Sequence, residues 1–478
     1  MGAFLPLYAP LTPEEVRQID HTSRQVLERV GVTVYESSCL ETLDAAGACV
    51  DYQTQRVRFD GDWLNAALGS APSQFVLYSR DGQNDIHLGD GKVYFTNGGR
   101  VFRIQDSQGR GYRYTMLRHV ARTAALVNQL QHINFYIVAC QAHALKPETY
   151  HLNDFYQAFK HTTKHVMGGC DDLDGVKQVW ELASFIAGSE DNLREKPFVS
   201  VITNPVSPLT IEAKTLRVLR FCCTHGIPVT CAPAPIAGAT APATLGGTLV
   251  QMHAEALAGV AIAQALAPGA KVLYGAVPAT MDLRNMEFCL GSVEAAMMNA
   301  AAVQLAKLYN LPIYASAGVT EAKKSDIQAG CEKTLSNLLV AMAGADCIHL
   351  SAGILDSGNT ISYAQYVIDN EIIGMVQRVL SGIKVDQDTL ALGAIQEAGP
   401  GGNYVVQDHT VKHMLDEFFY PALCVRSNFD IWEAQGCPDM FTRASDVARQ
   451  AVEGSSNPIL DAALVHRIKT VFPGIEDV

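Results

Sequence analysis

Residues 311–318 read LPIYASAG, and residues 347–353 read CIHLSAG. Each is a short apolar run closed by Ser-Ala-Gly: a buried strand that must then turn sharply. A helical stretch lies between them, so one strand-and-helix period is written twice. Working outward, the same pattern recurs at 93–99 (VYFTNGG), 134–141 (NFYIVACQ), 164–169 (KHVMGG), 197–204 (PFVSVITN), 227–235 (IPVTCAPAP) and 271–278 (KVLYGAVP). Eight such units are what a closed (β/α)8 barrel requires. Adjacent runs start roughly 30 to 45 residues apart, enough for the crossover helix that parallel pairing needs. The expected fold class is therefore α/β: a TIM barrel over residues 91–380, with its chemistry on the loops after the strands.

The flanks read differently. Thr12-Pro13-Glu14-Glu15 opens a first helix through a capping box. A β-rich stretch follows at 32–35, 56–59, 75–79 and 86–88, with turn pairs Asp81-Gly82 and Asp90-Gly91. Residues 1–90 are expected to form an N-terminal α+β extension. Residues 381–478 are expected to form a C-terminal helical extension, with a Gly-rich loop at 398–404 and a turn at 455–458 before the last helix. Between the strands, an Ala-rich helix is expected over 244–267. Ser325 and Gln328 have capping-box spacing before another.

The chain has 478 residues, 48% hydrophobic and 18% charged, with a formal net charge of −13. That balance can bury a large core. It argues against nucleic acid and anionic membrane as partners, since nothing builds a broad basic surface. The N-terminus lacks the basic and apolar regions of a signal peptide, and no apolar run reaches the ~18 residues of a membrane span. A cytoplasmic location is expected, with the twelve cysteines as free thiols. The Ala-rich helix suits a core or a homo-oligomer interface equally.

The sequence has no P-loop, no G-x-G-x-x-G after a strand, no G-x-S-x-G and no CxxC. These absences disfavour nucleotide phosphoryl transfer, a dinucleotide site, a hydrolase elbow and a thiolate zinc site. Asp-x-His-x-x-Gly, the pattern of corrinoid-binding domains, is missing too. His161/His165 and His409/His413 have the i, i+4 spacing of paired ligands, but neither is H-E-x-x-H and neither has a Cys pair nearby. No metal site is expected. What remains at the strands is aromatic and uncharged: Tyr94, Phe95, Tyr136, Tyr274 and Tyr314. Such rings can cage a quaternary ammonium, which is drawn to ring faces; core packing is the competing role. Arg100 and Lys323, just after strands, are candidates to pair with a carboxylate or to stand as solvated loop charges.

Four further stretches carry a resemblance. They are residues 332–348 with the SAG that follows, Val367-Ile368-Asp369-Asn370-Glu371, residues 399–403 leading to Gln407-Asp408-His409-Thr410, and Arg426-Ser427 followed by Trp432-Glu433-Ala434. Through them the chain resembles the trimethylamine methyltransferase superfamily along nearly its whole length. The resemblance implies a (β/α)8 enzyme that moves a methyl group from a methylamine or betaine to a separate corrinoid (cobalamin) protein, with no cofactor bound by this chain. The trimethylamine enzymes carry pyrrolysine in the barrel; this chain has standard residues throughout, and the equivalent position is sought around 316–320. Members without pyrrolysine resemble quaternary-amine demethylases, which points to glycine betaine. Tyr94, Phe95, Tyr274 and Tyr314 are then cage candidates, with His349 as hydrogen-bond partner for the carboxylate. Displacement of a neutral tertiary amine needs no acid or base, so no catalytic side chain is expected. Proline betaine, carnitine or another betaine would suit the same reaction. A betaine-binding protein without transfer activity is the alternative of another class.

Overall fold

Eight parallel strands follow one another round a ring in chain order: β1 (Tyr94–Asn97), β2 (Tyr136–Ile137), β3 (Val166–Gly169), β4 (Val199–Thr203), β5 (Val229–Cys231), β6 (Val272–Ala276), β7 (Ile313–Ser316) and β8 (Cys347–Ala352). The ring closes where β8 pairs with β1 and where Thr96 of β1 bridges Phe135 beside β2. Asn134 seals that seam: its N–H donates to Phe95 O, and its side-chain oxygen accepts from Phe95 N–H, both at 2.7 Å. A barrel helix follows each strand: α1 (Leu117–Gln129), α2 (Tyr150–His161), α3 (Leu173–Ala187), α4 (Ala213–His225), α5 (Leu245–Leu266), α6 (Val293–Lys307), α7 (Ile327–Ala343) and α8 (Tyr363–Leu380), with a further short helix, Glu190–Glu195, between α3 and β4. The protein is a (β/α)8 barrel, and all eight strands fall inside the runs expected from sequence. This computed structural model describes residues 7–106, 109, 111–453 and 458–478. Residues 1–6 and most of the turn expected at 455–458 lie outside the described residues.

The repeat at the ends of β7 and β8 has a physical basis. Gly318 and Gly353 both take φ in the left-handed region, +75° and +85°. A Cβ on Gly318 would sit 2.5 Å from Ser351 Cα, and one on Gly353 would sit 2.3 Å from the Tyr366 ring. Glycine is required at both places by conformation and by close approach. Helix α7 is capped by Asp326, whose carboxylate accepts from Ala329 N–H at 3.3 Å, not by Ser325.

The N-terminal stretch is woven into the barrel. Its capping box forms, with Thr12 N–H donating to Glu15 at 2.7 Å and Glu15 N–H to Thr12 Oγ1 at 3.3 Å. The capped helix, Pro13–Arg29, packs on α5, where Ser23 donates to Val250 O. Strand Val32–Val34 pairs with Thr210–Ile211 from the loop after β4. Helices Ser37–Ala45 and Gly61–Gly69 stand where the sequence reading saw only strands and turns. The hairpin Phe75–Leu77 and Ile86–Leu88 plugs the N-terminal end of the barrel: its four apolar side chains cluster with Tyr94, Phe135, Met167, Leu273 and Tyr314. Helix α5 is long and apolar enough to cross a membrane by composition, yet 78% of that stretch is buried inside the protein.

Beyond the barrel come α9 (Leu392–Ala398), α10 (Asp408–Glu417), α11 (Phe429–Ala434), α12 (Met440–Glu453) and α13 (Ala462–Val471). Helix α12 packs on α8 and α1. The segment before it is held by charge: Glu371 accepts from the N–H groups of Ala422, Leu423 and Cys424 at 3.0, 3.0 and 3.1 Å.

Candidate functional site

Side chains on a strand alternate between faces, and the pairing registers fix which ones face the lumen. Tyr314 lies beside Gly275 and Cys347, His349 beside Ser316, and Thr230 between Ile202 and Leu273. Gly169 lies beside Ile202. Barrel interiors are usually filled by branched aliphatic layers. Here the inward positions toward the C-terminal end are Gly169, Ile202, Thr230, Gly275, Ser316 and His349, mostly small or polar. Gly169, Ile202 and His349 keep partial exposure although they lie on barrel strands.

His349 stacks on Tyr314 with ring centroids 4.8 Å apart and planes 28° apart. Burial pushes the His349 pKa down to about 3, so the ring is neutral, and raises the Tyr314 phenol far above its ordinary value. His349 Nδ1, Tyr314 OH and Thr230 Oγ1 are all buried without a hydrogen-bond partner. Buried polar atoms are almost always paired. The three groups are uncharged and stand at inward-facing positions of β5, β7 and β8.

The mouth carries the charge. Arg100, at φ +56°, lies across the inner face of Gly169, where an added Cβ would meet its Nη1 at 3.6 Å. Its guanidinium pairs with Asp171 at 2.5 Å and donates to Tyr150 OH at 3.2 Å. Leu350 within β8, and Asp356 and Ser357 in the loop after it, also hold positive φ. Such strain concentrates at functional sites. A cleft of about 440 Å³ adjoins this cluster, with Phe102, Tyr114, His143 and Tyr150 on its walls.

The expected site residues separate. Tyr314 and His349 meet in the lumen. Tyr94 faces inward too, but at the first residue of β1, against the plug; its OH reaches Asp90 at 3.2 Å, and burial lifts its pKa to about 12. Its neighbour Phe95 must face the other way and is packed among the outer core residues. Tyr274 also faces outward: its OH bonds His253 Nδ1 on α5 at 2.7 Å, and His253 Nε2 meets Asp20 at 3.1 Å. The four rings therefore do not form one cage. Lys323 is tied to Asp356, so of the two loop cations Arg100 stands at the mouth and Lys323 on its rim. The reading missed Thr230, Asp171 and Tyr150. Period-two counting along each strand is the signal that separates Tyr94 from Phe95 and finds Thr230.

A buried ion pair braces the site. Lys333 and Asp369, both fully buried, lie 3.1 Å apart. Lys333 also donates to Gly318 O and to Ile354 O, while Asp369 accepts from Gly353 N–H at 2.7 Å. One pair thus fixes the loops after β7 and β8 to each other. Burial pulls the lysine pKa down and pushes the aspartate up, while the charge of each works against that shift in the other. Among the described residues no group of three metal-ligating side chains lines the lumen.

Small and polar inward positions beneath a charged mouth distinguish this (β/α)8 barrel from one filled by aliphatic layers. Comparison with known proteins gives the family. Residues 3–472 match the model of the trimethylamine methyltransferase family, and the chain belongs to that family; it is a methyltransferase of methylated amines. It is 34% identical to the trimethylamine methyltransferase MttB of Desulfitobacterium hafniense, over 98% of this chain and 94% of that one. It is 31% identical to the glycine betaine methyltransferase of another strain of that species, over 97% of each. The fold is similar to the crystal structure of the Methanosarcina barkeri monomethylamine methyltransferase, with a TM-score of 0.50, 13% identity and 93% of each chain covered.

Proposed function

We propose that the protein demethylates a quaternary amine, glycine betaine above others, and releases dimethylglycine. The methyl acceptor, Co(I) of a separate corrinoid protein, supplies the nucleophile. The observation that carries this reading is the trio of orphan groups beneath a neutral lumen: His349 Nδ1, Tyr314 OH and Thr230 Oγ1. A zwitterion suits such a lumen better than a net cation. Its carboxylate accepts hydrogen bonds from the phenol, the hydroxyl and the neutral imidazole, while the ammonium end points to the mouth. A protonated trimethylamine would be buried without a counter-ion, which is costly; Asp171 is already held by Arg100 and Tyr150.

The chain's part in the reaction is then positional. The lumen holds one N-methyl group in line with the mouth and keeps water out. The leaving group is a neutral tertiary amine, so no side chain has to donate a proton. The exposed aromatic rim, with Phe102 and Tyr114 both more than half exposed, suits docking of the corrinoid protein. The setting is the cytoplasm.

Calorimetric titration with glycine betaine, proline betaine, carnitine and trimethylammonium tests this reading. Trimethylammonium, lacking the carboxylate, is expected to bind at least about tenfold more weakly than a betaine, the loss of one charge-assisted hydrogen bond. Equal affinity for the two would refute the carboxylate site.

A further inference from the structure

The C-terminal segment holds a second convergence of chemistry, far from the barrel mouth in function and sequence. His409 and His413 stand one turn apart on α10, on one helix face, with ring centroids 4.4 Å apart. Asp388, from the loop before α9, reaches both: its Oδ2 lies 3.2 Å from His413 Nε2, and its backbone oxygen lies 3.1 Å from His409 Nε2. One ligand atom from each of the three residues lies within 4.8 Å of the others. We propose that Asp388, His409 and His413 form a zinc-class metal site that staples the loop before α9 to α10.

The geometry has room for a metal shared by the three residues. His413 Nε2 is buried and has no hydrogen-bond partner, although the carboxylate oxygen is close. That nitrogen and the nearby carboxylate oxygen can share a metal ion as common ligands. Tetrahedral zinc with bonds of about 2.0–2.1 Å has ligand-to-ligand edges of about 3.3 Å, so the Asp388–His413 edge is already at metal-site length. Two imidazoles and a carboxylate leave a fourth position for water, a donor set that suits Zn2+ or Co2+. Lys412 Nζ lies 2.6 Å from Asp388 Oδ2 and is largely exposed, so it can swing into solvent when a metal takes its place.

The segment also needs a staple. Helices α9, α10 and α11 contain no buried residue, and Leu390, Val411 and Leu415 are exposed. A stretch without its own core is the kind that a structural metal stabilises.

The test uses the full-length protein, stripped with chelator and titrated with Co2+, then with Zn2+ in competition. The triple variant Asp388→Asn, His409→Gln, His413→Gln serves as blank for the twelve thiols. The expected result is one Co2+ per chain above the blank, with a tetrahedral N/O absorption spectrum that zinc abolishes. Lys412→Gln is expected to bind at least as tightly, and His413→Gln alone at least about tenfold more weakly. Zinc is also expected to slow proteolysis between residues 381 and 417 in the natural protein and not in His413→Gln. Identical titrations of the natural protein and either His variant, with folding confirmed by circular dichroism, would overturn the proposal.

Discussion

Replacing Lys333 by methionine removes the cation and leaves Asp369 with its burial intact. The natural pair is fully buried with its atoms 3.1 Å apart. Breaking a buried pair from one side costs about 3–5 kcal/mol, because the remaining charge stays uncompensated. That is a large share of the roughly 5–15 kcal/mol by which a folded domain is stable. The pH dependence gives the mechanism a signature. Without Lys333, the Asp369 carboxyl is held above its unfolded value by burial alone. The native state then keeps its proton while the unfolded state, with a pKa near 3.9, has lost it. Stability should therefore fall as pH rises through that interval, by about 1.4 kcal/mol per unit. Urea unfolding at pH 5 and pH 7 measures this: the deficit of Lys333→Met against the natural protein should be smaller at pH 5 than at pH 7. The double variant Lys333→Met, Asp369→Leu should recover much of the loss, since an apolar pair of similar volume is tolerated. A single variant as stable as the natural protein at pH 7, or a deficit independent of pH, would refute the reasoning.

Other outcomes separate packing from binding. Tyr314→Phe removes an orphan hydroxyl, so stability should hold or rise by about 1 kcal/mol while betaine affinity falls about tenfold; calorimetry and thermal melting read the two. Phe95→Ala empties the outer core and should cost about 3–5 kcal/mol in unfolding titrations, and the protein that remains folded should bind betaine as before. Five histidines, His119, His151, His161, His165 and His349, have pKa values pushed down by burial to about 4, 3, 4, 4 and 3. Each is neutral when folded and takes a proton near pH 6.5 when unfolded, so stability should drop on acidification below that value, by up to about 2 kcal/mol per histidine at pH 5. A melting temperature that is flat from pH 7 to 5 would contradict this.

The barrel was legible because its strands are buried on both faces and read as apolar runs ending in turn residues. The repeated Ser-Ala-Gly was legible for the same reason, since each glycine occupies a backbone position other residues avoid. The site was legible in part. Tyr314 and His349 come from adjacent strands and do meet. Tyr94 and Phe95 are successive residues, so one strand could not present both to the lumen; position and parity placed them in the plug and the outer core. Tyr274 shows why an aromatic alone is a weak signal: its hydroxyl serves a structural chain through His253 to Asp20. The Val367–Glu371 motif became intelligible only with coordinates, because Asp369 holds the β8 loop and Glu371 holds the backbone of residues 422–424. Asp388 lies 21 residues before His409, and no spacing rule links them.

The most direct measurement is transfer itself. Purified protein is mixed with a corrinoid protein reduced to Co(I), and loss of the Co(I) absorbance is followed on adding glycine betaine, other betaines or methylamines. The account predicts rapid loss with a betaine, dimethylglycine as product from glycine betaine, and strong impairment in His349→Ala. Loss with trimethylamine and none with any betaine, or no loss with any donor while the Co(I) is shown to be competent, would contradict it.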